Sequence, residues 1–253
     1  MKFIPTADSD VGLVKETNQD SVVIKHARFQ NEEILMAVVC DGMGGLSKGE
    51  LASATVVRAF RKWFDEELAY ELTNPDMNVI GSKWSYMLKD LNADILSKSK
   101  TLGTSMGTTF TGILFYQKYY VIVHVGDTRA YHIGSGLEQL TNDHTFVARE
   151  IRNGTMTPEQ ARTDKRRNML LQCVGASESI EPDIVVGEIQ KGVYMLCSDG
   201  FRHEITEKEI LAAFNPKKLK NKDVMHANAK ELIEKNKSRQ EKDNITVVLI
   251  KTE

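Results

Sequence analysis

Apolar and polar positions along the chain form a pattern that predicts eight β-strands. Each is a run of four to nine residues rich in Val, Ile, Leu, Thr or Tyr, and polar or glycine-containing turns bound most of them. Strand segments of this kind suit a half-buried or fully buried sheet. The predicted strands are 21–28, 33–40, 108–116, 119–125, 130–133, 184–189, 193–197 and 245–251.

Helical spacing of apolar residues predicts two long helices between the second and third strands. The first begins at a capping box formed by Ser47 and Glu50, and the second runs from Asn74-Pro75 to about Leu102-Gly103. A further helix over 222–235 precedes the last strand. This order favours an α+β protein with antiparallel sheets and outer helices over a doubly wound fold.

A polar, helix-leaning stretch at about 145–170 lies between the strands. Within 149–167 it carries six Arg or Lys and three Asp or Glu. Two interpretations stay open, a solvated surface helix and a basic flap over an anionic substrate.

The first two strands form a hairpin whose register follows from its turn. If the turn 29–32 is symmetric, Arg28 faces Glu33, and counting outwards places Asp20 directly opposite Asp41. The β-carbons of cross-strand neighbours lie about 5 Å apart. Two carboxylates at that distance repel each other unless one is protonated or a cation lies between them.

Aspartates at strand ends are the candidate chemistry of this chain. Asp20, Asp41, Asp127, Asp199 and Asp243 each precede or follow a predicted strand. Asp-Gly is also a hairpin signal, but the sequences after Asp41 and Asp199 lack the alternation of a partner strand. Hard cations take oxygen ligands, so the pattern predicts a metal-dependent enzyme.

Composition and charge exclude some classes of protein for this chain. The 253 residues are 41% hydrophobic and carry a net charge of −2, which gives no general attraction to nucleic acid or to an anionic membrane. The N-terminus lacks the apolar region of a signal peptide, and no run approaches a membrane span. Cys40, Cys173 and Cys197 are expected to be reduced and buried, which favours a cytoplasmic location.

Nine motifs, taken in chain order, resemble those of the metal-dependent protein phosphatases of the 2C type in their bacterial form. The resemblance covers essentially the whole chain. It implies one domain over 1–253, a four-layer α-β-β-α sandwich of two antiparallel sheets flanked by helices, with a flap at about 145–170. The motifs are SDVGLVKETNQDS (9–21), VVCDGMGG (38–45), GELAS (49–53), MGTTFTG (106–112), VGDTRAY (125–131), LTNDHT (140–145), LLQCVG (170–175), LCSDGF (196–201) and KDNITVV (242–248).

The same resemblance implies the ligands of two Mn²⁺ or Mg²⁺ ions. Asp41 resembles the carboxylate that bridges both ions, and the carbonyl of Gly42 resembles a ligand beside it. Asp199 and Asp243 resemble ligands of one ion, and Asp20 resembles the acid that serves the other.

A third, weaker ion seen in bacterial members would correspond to a ligand at Asp127. The chemistry implied for the pair of ions is attack on phosphorus by a metal-bridging hydroxide, with the metals stabilising the developing charge.

Three positions depart from the family's pattern. Lys15 stands where an Arg usually grips the substrate phosphate, so the charge is kept but the bidentate fork is lost. Met43 stands where some members carry a His general acid, and Asp164-Lys165 replaces a His-Pro pair in the flap. Lys15 and Asp41 are the predicted catalytic residues.

The resemblance implies a protein phosphatase that removes phosphate from phosphoserine and phosphothreonine in the products of a Ser/Thr kinase. It is expected to work as a cytoplasmic monomer without nucleic-acid or membrane partners. A catalytically weak pseudophosphatase that binds phosphoproteins as a scaffold is the alternative, and a phosphatase for small phosphate esters is a third hypothesis.

Overall fold

The computed structural model describes residues 1–43 and 48–253, which form ten strands and eight helices within those ranges. The strands are β1 (Phe3–Asp10), β2 (Ser21–Phe29), β3 (Glu32–Cys40), β4 (Phe110–Tyr116), β5 (Tyr119–Val125), β6 (Arg129–Ile133), β7 (Leu137–Gln139), β8 (Asp183–Glu188), β9 (Gly192–Cys197) and β10 (Ile245–Thr252). The helices are α1 (Gly49–Glu66), α2 (Leu68–Glu71), α3 (Met77–Leu102), α4 (Phe146–Arg152), α5 (Pro158–Thr163), α6 (Asp199–Arg202), α7 (Glu207–Ala213) and α8 (Lys222–Ser238).

The strands form two five-stranded antiparallel sheets. Sheet 1 has the order β1-β10-β9-β6-β7, and sheet 2 has the order β2-β3-β4-β5-β8. Neighbouring strands pair antiparallel throughout both sheets. The predicted α+β sandwich of two antiparallel sheets flanked by helices is therefore confirmed.

Three apolar cores hold the four layers together. Between the sheets lies a core that includes Leu35, Phe115 and Tyr194. The helices α1 and α3 pack on the outer face of sheet 2 through an aromatic cluster, in which the rings of Phe60 and Phe110 have centroids 4.4 Å apart. Helix α8 covers sheet 1 with residues such as Met225, Ala229 and Leu232. Burial of large side chains in all three cores is the main force that holds the sandwich together.

The hairpin β2–β3 has the predicted register and a tighter turn than expected. Arg28 pairs with Glu33, and the ladder runs on to Ser21 and Cys40, whose outer neighbours are Asp20 and Asp41. Both strands are one residue longer than predicted, and Gln30-Asn31 forms the turn with φ of 50° and 68°. Two consecutive positive φ values are typical of the two-residue turns that match strand twist.

Two strands, β1 and β7, and two short helices, α6 and α7, were not predicted from the sequence. β1 and β7 lie at the two edges of sheet 1, and α7 begins at a capping box formed by Thr206 and Glu209. The predicted capping box at the start of α1 involves Ser47, which lies outside the described residues. None of the helices within residues 1–43 and 48–253 has both the length and the apolar character of a membrane span.

The segment predicted as a flap contains two short helices. Thr145 caps α4 by accepting a hydrogen bond from the amide of Ala148, and Thr157 forms a capping box with Gln160 before α5. Neither helix is long enough to be stable alone, so the segment depends on its packing against the sandwich.

Candidate metal centre

Asp41 is held at the end of β3 by backbone hydrogen bonds to the segment that precedes β4. Its amide donates to the hydroxyl of Thr109 at 2.9 Å, and its carbonyl accepts from the Thr109 amide and the Thr108 hydroxyl, each at 2.9 Å. These contacts fix the direction of the carboxylate without using its oxygens. The two threonines belong to the MGTTFTG motif, but the sequence did not show this positioning role.

Asp20 and Asp41 interact as the hairpin register requires. Burial raises the pKa of Asp41 well above its usual range, and neighbouring carboxylates raise it further, in the order Asp20, Asp199, Asp127 and Asp243. Burial also raises the pKa of Asp20 to about 7, although the hydroxyls of Thr246 and Ser198 partly offset the effect. The hairpin thus brings two half-buried carboxylates together, and both carboxylate oxygens of Asp20 are shielded from water.

Asp199 and Asp243 lie at the ends of strands in sheet 1 and interact with this pair, which belongs to sheet 2. Asp199 follows β9 as the first residue of α6, and Asp243 precedes β10, the strand beside β9. Both raise the pKa of Asp41, and both also raise that of Asp20. The four predicted ligands, two from each sheet, are therefore near enough to one another to interact electrostatically.

Hydrogen bonds with Asn244 hold the loop of the first motif, residues 9–21, beside these carboxylates. The Asn244 side chain accepts from the amide of Gln19 at 2.9 Å and donates to the carbonyl of Val11 at 2.9 Å. Its own backbone amide donates to Asp243 Oδ1 at 2.9 Å. Asn244 thus couples the position of Asp20 to that of Asp243.

Two glycines allow the close backbone approaches that bring these segments together. A β-carbon on Gly42 would lie 2.5 Å from the carbonyl oxygen of Gln19 and 2.6 Å from that of Gly49. A β-carbon on Gly200 would collide with the carbonyl oxygen of Asn244. Any side chain at these positions would push the ligand-bearing segments apart.

The donor set fits hard divalent cations. Among the described residues, both oxygens of Asp20 and Oδ1 of Asp199 are buried and accept no hydrogen bond of regular geometry, although the hydroxyls of Thr246 and Ser198 lie close enough to influence Asp20. Buried carboxylate oxygens left without partners are costly, and a divalent cation with an all-oxygen shell would satisfy them. Within residues 1–43 and 48–253, however, no group of three or more Asp, Glu, His or Cys side chains is placed so that it could by itself hold a metal ion. The rest of a shell would come from carbonyl oxygens and water, as Mg²⁺ and Mn²⁺ sites commonly have it.

Lys15 reaches the same site but is paired with one of its carboxylates. Its Nζ lies 3.1 Å from Asp243 Oδ1, and the side chain lines the large cleft beside the metal centre. The predicted phosphate-gripping residue is thus present in the cleft, in contact with a predicted ligand.

Asp127 is buried at the end of β5, next to cationic side chains that the sequence analysis did not single out. Burial raises its pKa to about 7, with a further contribution from Asp199, and Arg202 opposes the shift. Nη2 of Arg202 donates to the Asp127 carbonyl at 3.0 Å. His203, the next residue, lies with Nε2 3.5 Å from Asp199 Oδ2 and with Nδ1 3.4 Å from Glu241 Oε2. Only the sequence position of Arg202 and His203 beside the Asp199-Gly200 motif could have drawn attention to them.

The cleft beside these residues has a volume of about 1230 Å³. One wall is formed by α4, α5 and the residues after α5, and the other by α6, α7 and the loop before β10. Arg162 and Arg167 of the first wall line it together with Asp127 and Asp243 of the metal centre. The segment 145–170 therefore forms one wall of a cleft that two of the predicted ligands, Asp127 and Asp243, also line.

A comparison with models of protein families assigns the chain to a family. Residues 14–245 match the model described as protein phosphatase 2C. This match covers most of the chain and every candidate ligand. The chain belongs to the protein phosphatase 2C family.

Relatives of this phosphatase family come from several bacteria. The chain is 32% identical over 247 residues to the serine/threonine phosphatase stp of Listeria monocytogenes, covering 96% of this chain and 93% of that protein. It is 33% identical over 211 residues to the serine/threonine protein phosphatase PstP of Mycobacterium tuberculosis, covering 82% of this chain. The match spans only 38% of PstP, so that relative is much longer than this chain.

Solved structures of protein phosphatases share the fold. The serine/threonine phosphatase Stp1 from Staphylococcus aureus superposes with a TM-score of 0.85 at 29% identity, covering 100% of this chain and 96% of that one. The catalytic domain of PstP in complex with two manganese ions superposes with a TM-score of 0.78 at 29% identity, covering 98% and 97% of the two chains. That structure agrees with a donor set suited to Mn²⁺.

Asp164, which departs from the pattern of this phosphatase family, pairs with Arg166 in the structure. Asp164 accepts from Nε and Nη2 of Arg166 at 3.0 and 2.9 Å, and the Arg166 guanidinium lies 4.0 Å from the centroid of the Phe146 ring. Phe146 is the first residue of α4, so the contact joins the two ends of the flap segment. Hydrogen bonding to Arg166 lowers the pKa of Asp164 to about 2 and keeps the carboxylate charged.

Proposed function

We propose that this chain is a metal-dependent protein serine/threonine phosphatase that hydrolyses phosphoserine and phosphothreonine in proteins. One observation supports this above the others. Carboxylates from both sheets interact beside a large cleft, and buried oxygens of Asp20 and Asp199 have no hydrogen-bond partner among the described residues. Such a cluster is costly without cations, so we infer that it is built to hold them.

The proposed ligands of two ions, Mn²⁺ or Mg²⁺, are the residues that converge there. Asp41 is proposed as the ligand shared by both ions because it interacts with every other carboxylate of the set. The Gly42 carbonyl would bind beside it, and Asp20, Asp199 and Asp243 would complete the protein ligands. When bound, the cations would lower the pKa of water and neutralise charge on the phosphate oxygens.

The chain's own residues would orient the substrate and keep the site dry. Lys15 lies in the cleft beside Asp243 and is proposed to contact the substrate phosphate. Thr108 and Thr109 hold the Asp41 backbone, and Asn244 holds the loop before Asp20. The site can therefore receive a phosphate group without rearranging its main chain.

The size and composition of the cleft favour a protein substrate over a small phosphate ester. A cleft of about 1230 Å³ exceeds the 300–1,000 Å³ typical of small-molecule sites. The arginines on the wall formed by residues 145–170 would attract phosphorylated segments, and we propose that this segment acts as a flap of a single catalytic domain. We further propose that the substrates are products of a Ser/Thr kinase and that the enzyme acts as a monomer in the cytoplasm. Three free, buried cysteines suit such a reducing compartment.

Hydrolysis of a phosphothreonine peptide tests the proposal. Purified protein would be assayed with Mn²⁺, with Mg²⁺ and with a chelator, next to the Asp41→Asn variant and a sugar phosphate as alternative substrate. We expect turnover of the peptide with metal, its loss with chelator, and little hydrolysis of the sugar phosphate. Peptide binding without turnover in the metal-loaded protein would instead favour a phosphoprotein-binding scaffold, and equal turnover of the sugar phosphate would favour a small-ester phosphatase.

A further inference from the structure

Arg202 is a buried cation fixed beside Asp127. Its side chain is 15% exposed, and Nη2 lies 3.7 Å from Asp127 Oδ2 in addition to its 3.0 Å hydrogen bond to the Asp127 carbonyl. The residue is the last of α6, the helix that begins with the proposed ligand Asp199. The guanidinium is therefore part of the metal centre's wall and not a mobile surface charge.

The charge of Arg202 is available to Asp127 because its other carboxylate neighbour is already paired. Asp143 accepts two hydrogen bonds from Arg129, to Oδ1 at 2.8 Å and to Oδ2 at 2.7 Å. Arg202 lies 3.7 Å from Asp143 Oδ2, farther than the hydrogen bonds of Arg129. A bidentate guanidinium–carboxylate pair of this kind is strong and leaves little demand for a second cation. Arg202 thus serves mainly as the counter-charge of Asp127.

A third divalent ion at Asp127, which the family resemblance implied, does not fit this arrangement. It would have to bind the carboxylate that faces Arg202, and an arginine stays protonated at every physiological pH. Positive charges a few ångströms apart repel strongly in a partly buried site. In addition, Nε of Arg202 is buried and has no hydrogen-bond partner within the described residues, so this donor is free to bind an anion. A guanidinium has no acceptor atom, so Arg202 itself cannot bind a metal ion as a ligand.

We propose that the guanidinium of Arg202 takes the place of the third metal ion in this chain. Asp127 then pairs with a cation supplied by the protein, and the centre is complete with two divalent ions. This inference rests on the proposed two-ion phosphatase site and concerns only the number of ions that it holds.

Counting bound Mn²⁺ tests the inference without relying on activity. Free Mn²⁺ would be measured by electron paramagnetic resonance during titration of metal-stripped protein up to millimolar metal. We expect two ions per chain for the wild type and for Arg202→Lys, which keeps the charge. Arg202→Ala is expected to bind three, and Arg202→Ala combined with Asp127→Asn is expected to return to two.

The outcomes separate this inference from the proposed function. Three ions in the wild type, or only two in a folded Arg202→Ala variant, would overturn the inference while leaving a two-ion phosphatase possible. No bound Mn²⁺ in the wild type would overturn the proposed function itself. Circular dichroism would establish folding, and Arg202→Gln, which keeps a donor for the Asp127 carbonyl without the charge, replaces Arg202→Ala if that variant does not fold. If neither variant folds, the number of Mn²⁺ ions bound per wild-type chain decides the question.

Discussion

Lys15 Nζ lies 3.1 Å from Asp243 Oδ1, so the residue proposed to grip the substrate phosphate is paired with a proposed metal ligand. The same oxygen also accepts the Asn244 amide at 2.9 Å. A cation that binds Asp243 must compete with the ammonium of Lys15 or displace it. Displacement would turn Lys15 toward the cleft, so we infer that metal binding and phosphate binding are coupled through this pair.

Substitution of Lys15 should therefore act on metal and substrate in opposite directions. In Lys15→Ala we expect Mn²⁺ to bind more tightly, because a competing cation is gone. We expect kcat/KM for a phosphothreonine peptide to fall about tenfold, the value of one hydrogen bond to a charged group. Lys15→Arg should recover or exceed the wild-type kcat/KM because its fork can bind phosphate through two donors.

Lys242→Ala is the matched control, since Lys242 lines the same cleft next to Asp243. Isothermal titration with Mn²⁺ and steady-state kinetics give the two readouts. An unchanged KM together with unchanged Mn²⁺ affinity in Lys15→Ala would show that Lys15 has neither role.

Asp41→Asn should abolish turnover and stabilise the metal-free fold. Asp41 is half-buried among like charges, and the amide keeps its shape without the charge. Relief of a shift of even one pKa unit corresponds to about 1.4 kcal/mol. Thermal melting in chelator and the peptide assay in Mn²⁺ check the two effects. Retention of full Mn²⁺-dependent activity would contradict the bridging role.

The stability of the metal-free protein should fall as the pH rises. The pKa values of Asp20 and Asp127 are raised from 3.8 to about 7 in the folded state, so folding favours their protonated forms. This stabilisation is complete below about pH 4 and is lost as the pH passes through about 7. Saturating Mn²⁺ should reverse the trend, since cations favour the ionised carboxylates. Melting curves between pH 5 and pH 8 with chelator and with Mn²⁺ measure it, and a metal-free protein that melts higher at pH 8 would contradict the prediction.

The sequence alone predicts the hairpin geometry because strand side chains alternate with a fixed period. A symmetric turn over 29–32 and a two-residue period suffice to predict the register, which the structure shows as far as Ser21 and Cys40, the neighbours of Asp20 and Asp41. β1 was not predicted because it contains Pro5 and many polar residues, which are unusual in a strand. The strand tolerates them because it lies at the edge of sheet 1. Arg202 reaches Asp127 across a sequence separation of 75 residues, and no local pattern encodes such a contact. Tertiary packing, not spacing along the chain, creates that part of the site.

Gly200→Ala should weaken metal binding without removing any ligand. A β-carbon there would collide with the carbonyl oxygen of Asn244, so α6 would move away from the loop that carries Asp243. Overpacking of this kind costs about 1–3 kcal/mol, and we expect both lower thermal stability and weaker Mn²⁺ affinity. Gly136→Ala is the matched control, because a β-carbon at Gly136 meets no atom within 4 Å. Equal Mn²⁺ affinity of the two variants would show that the ligand segments adapt to the added carbon.

Asp164→Ala should loosen the proposed flap and leave the metal centre intact. Asp164 holds the Arg166 guanidinium over the Phe146 ring. None of these three residues lines the cleft. An exposed cation–π contact contributes about 0.5–1 kcal/mol, so we expect the KM for a phosphopeptide to rise roughly two- to fivefold. The number and affinity of bound Mn²⁺ ions should not change, because Asp164 lies outside the carboxylate cluster. Limited proteolysis should cut faster within 145–170 in this variant.

Lys165→Ala is the matched control for this substitution, since it alters the neighbouring exposed residue without touching the contact between Arg166 and Phe146. A small phosphate ester provides a second comparison. If the flap contacts the peptide and not the phosphate, Asp164→Ala should leave hydrolysis of the small ester unchanged. Equal loss on the ester and the peptide would place the defect in the metal centre and contradict a flap role, whereas a loss confined to the peptide would assign peptide recognition to the segment that Asp164 holds together.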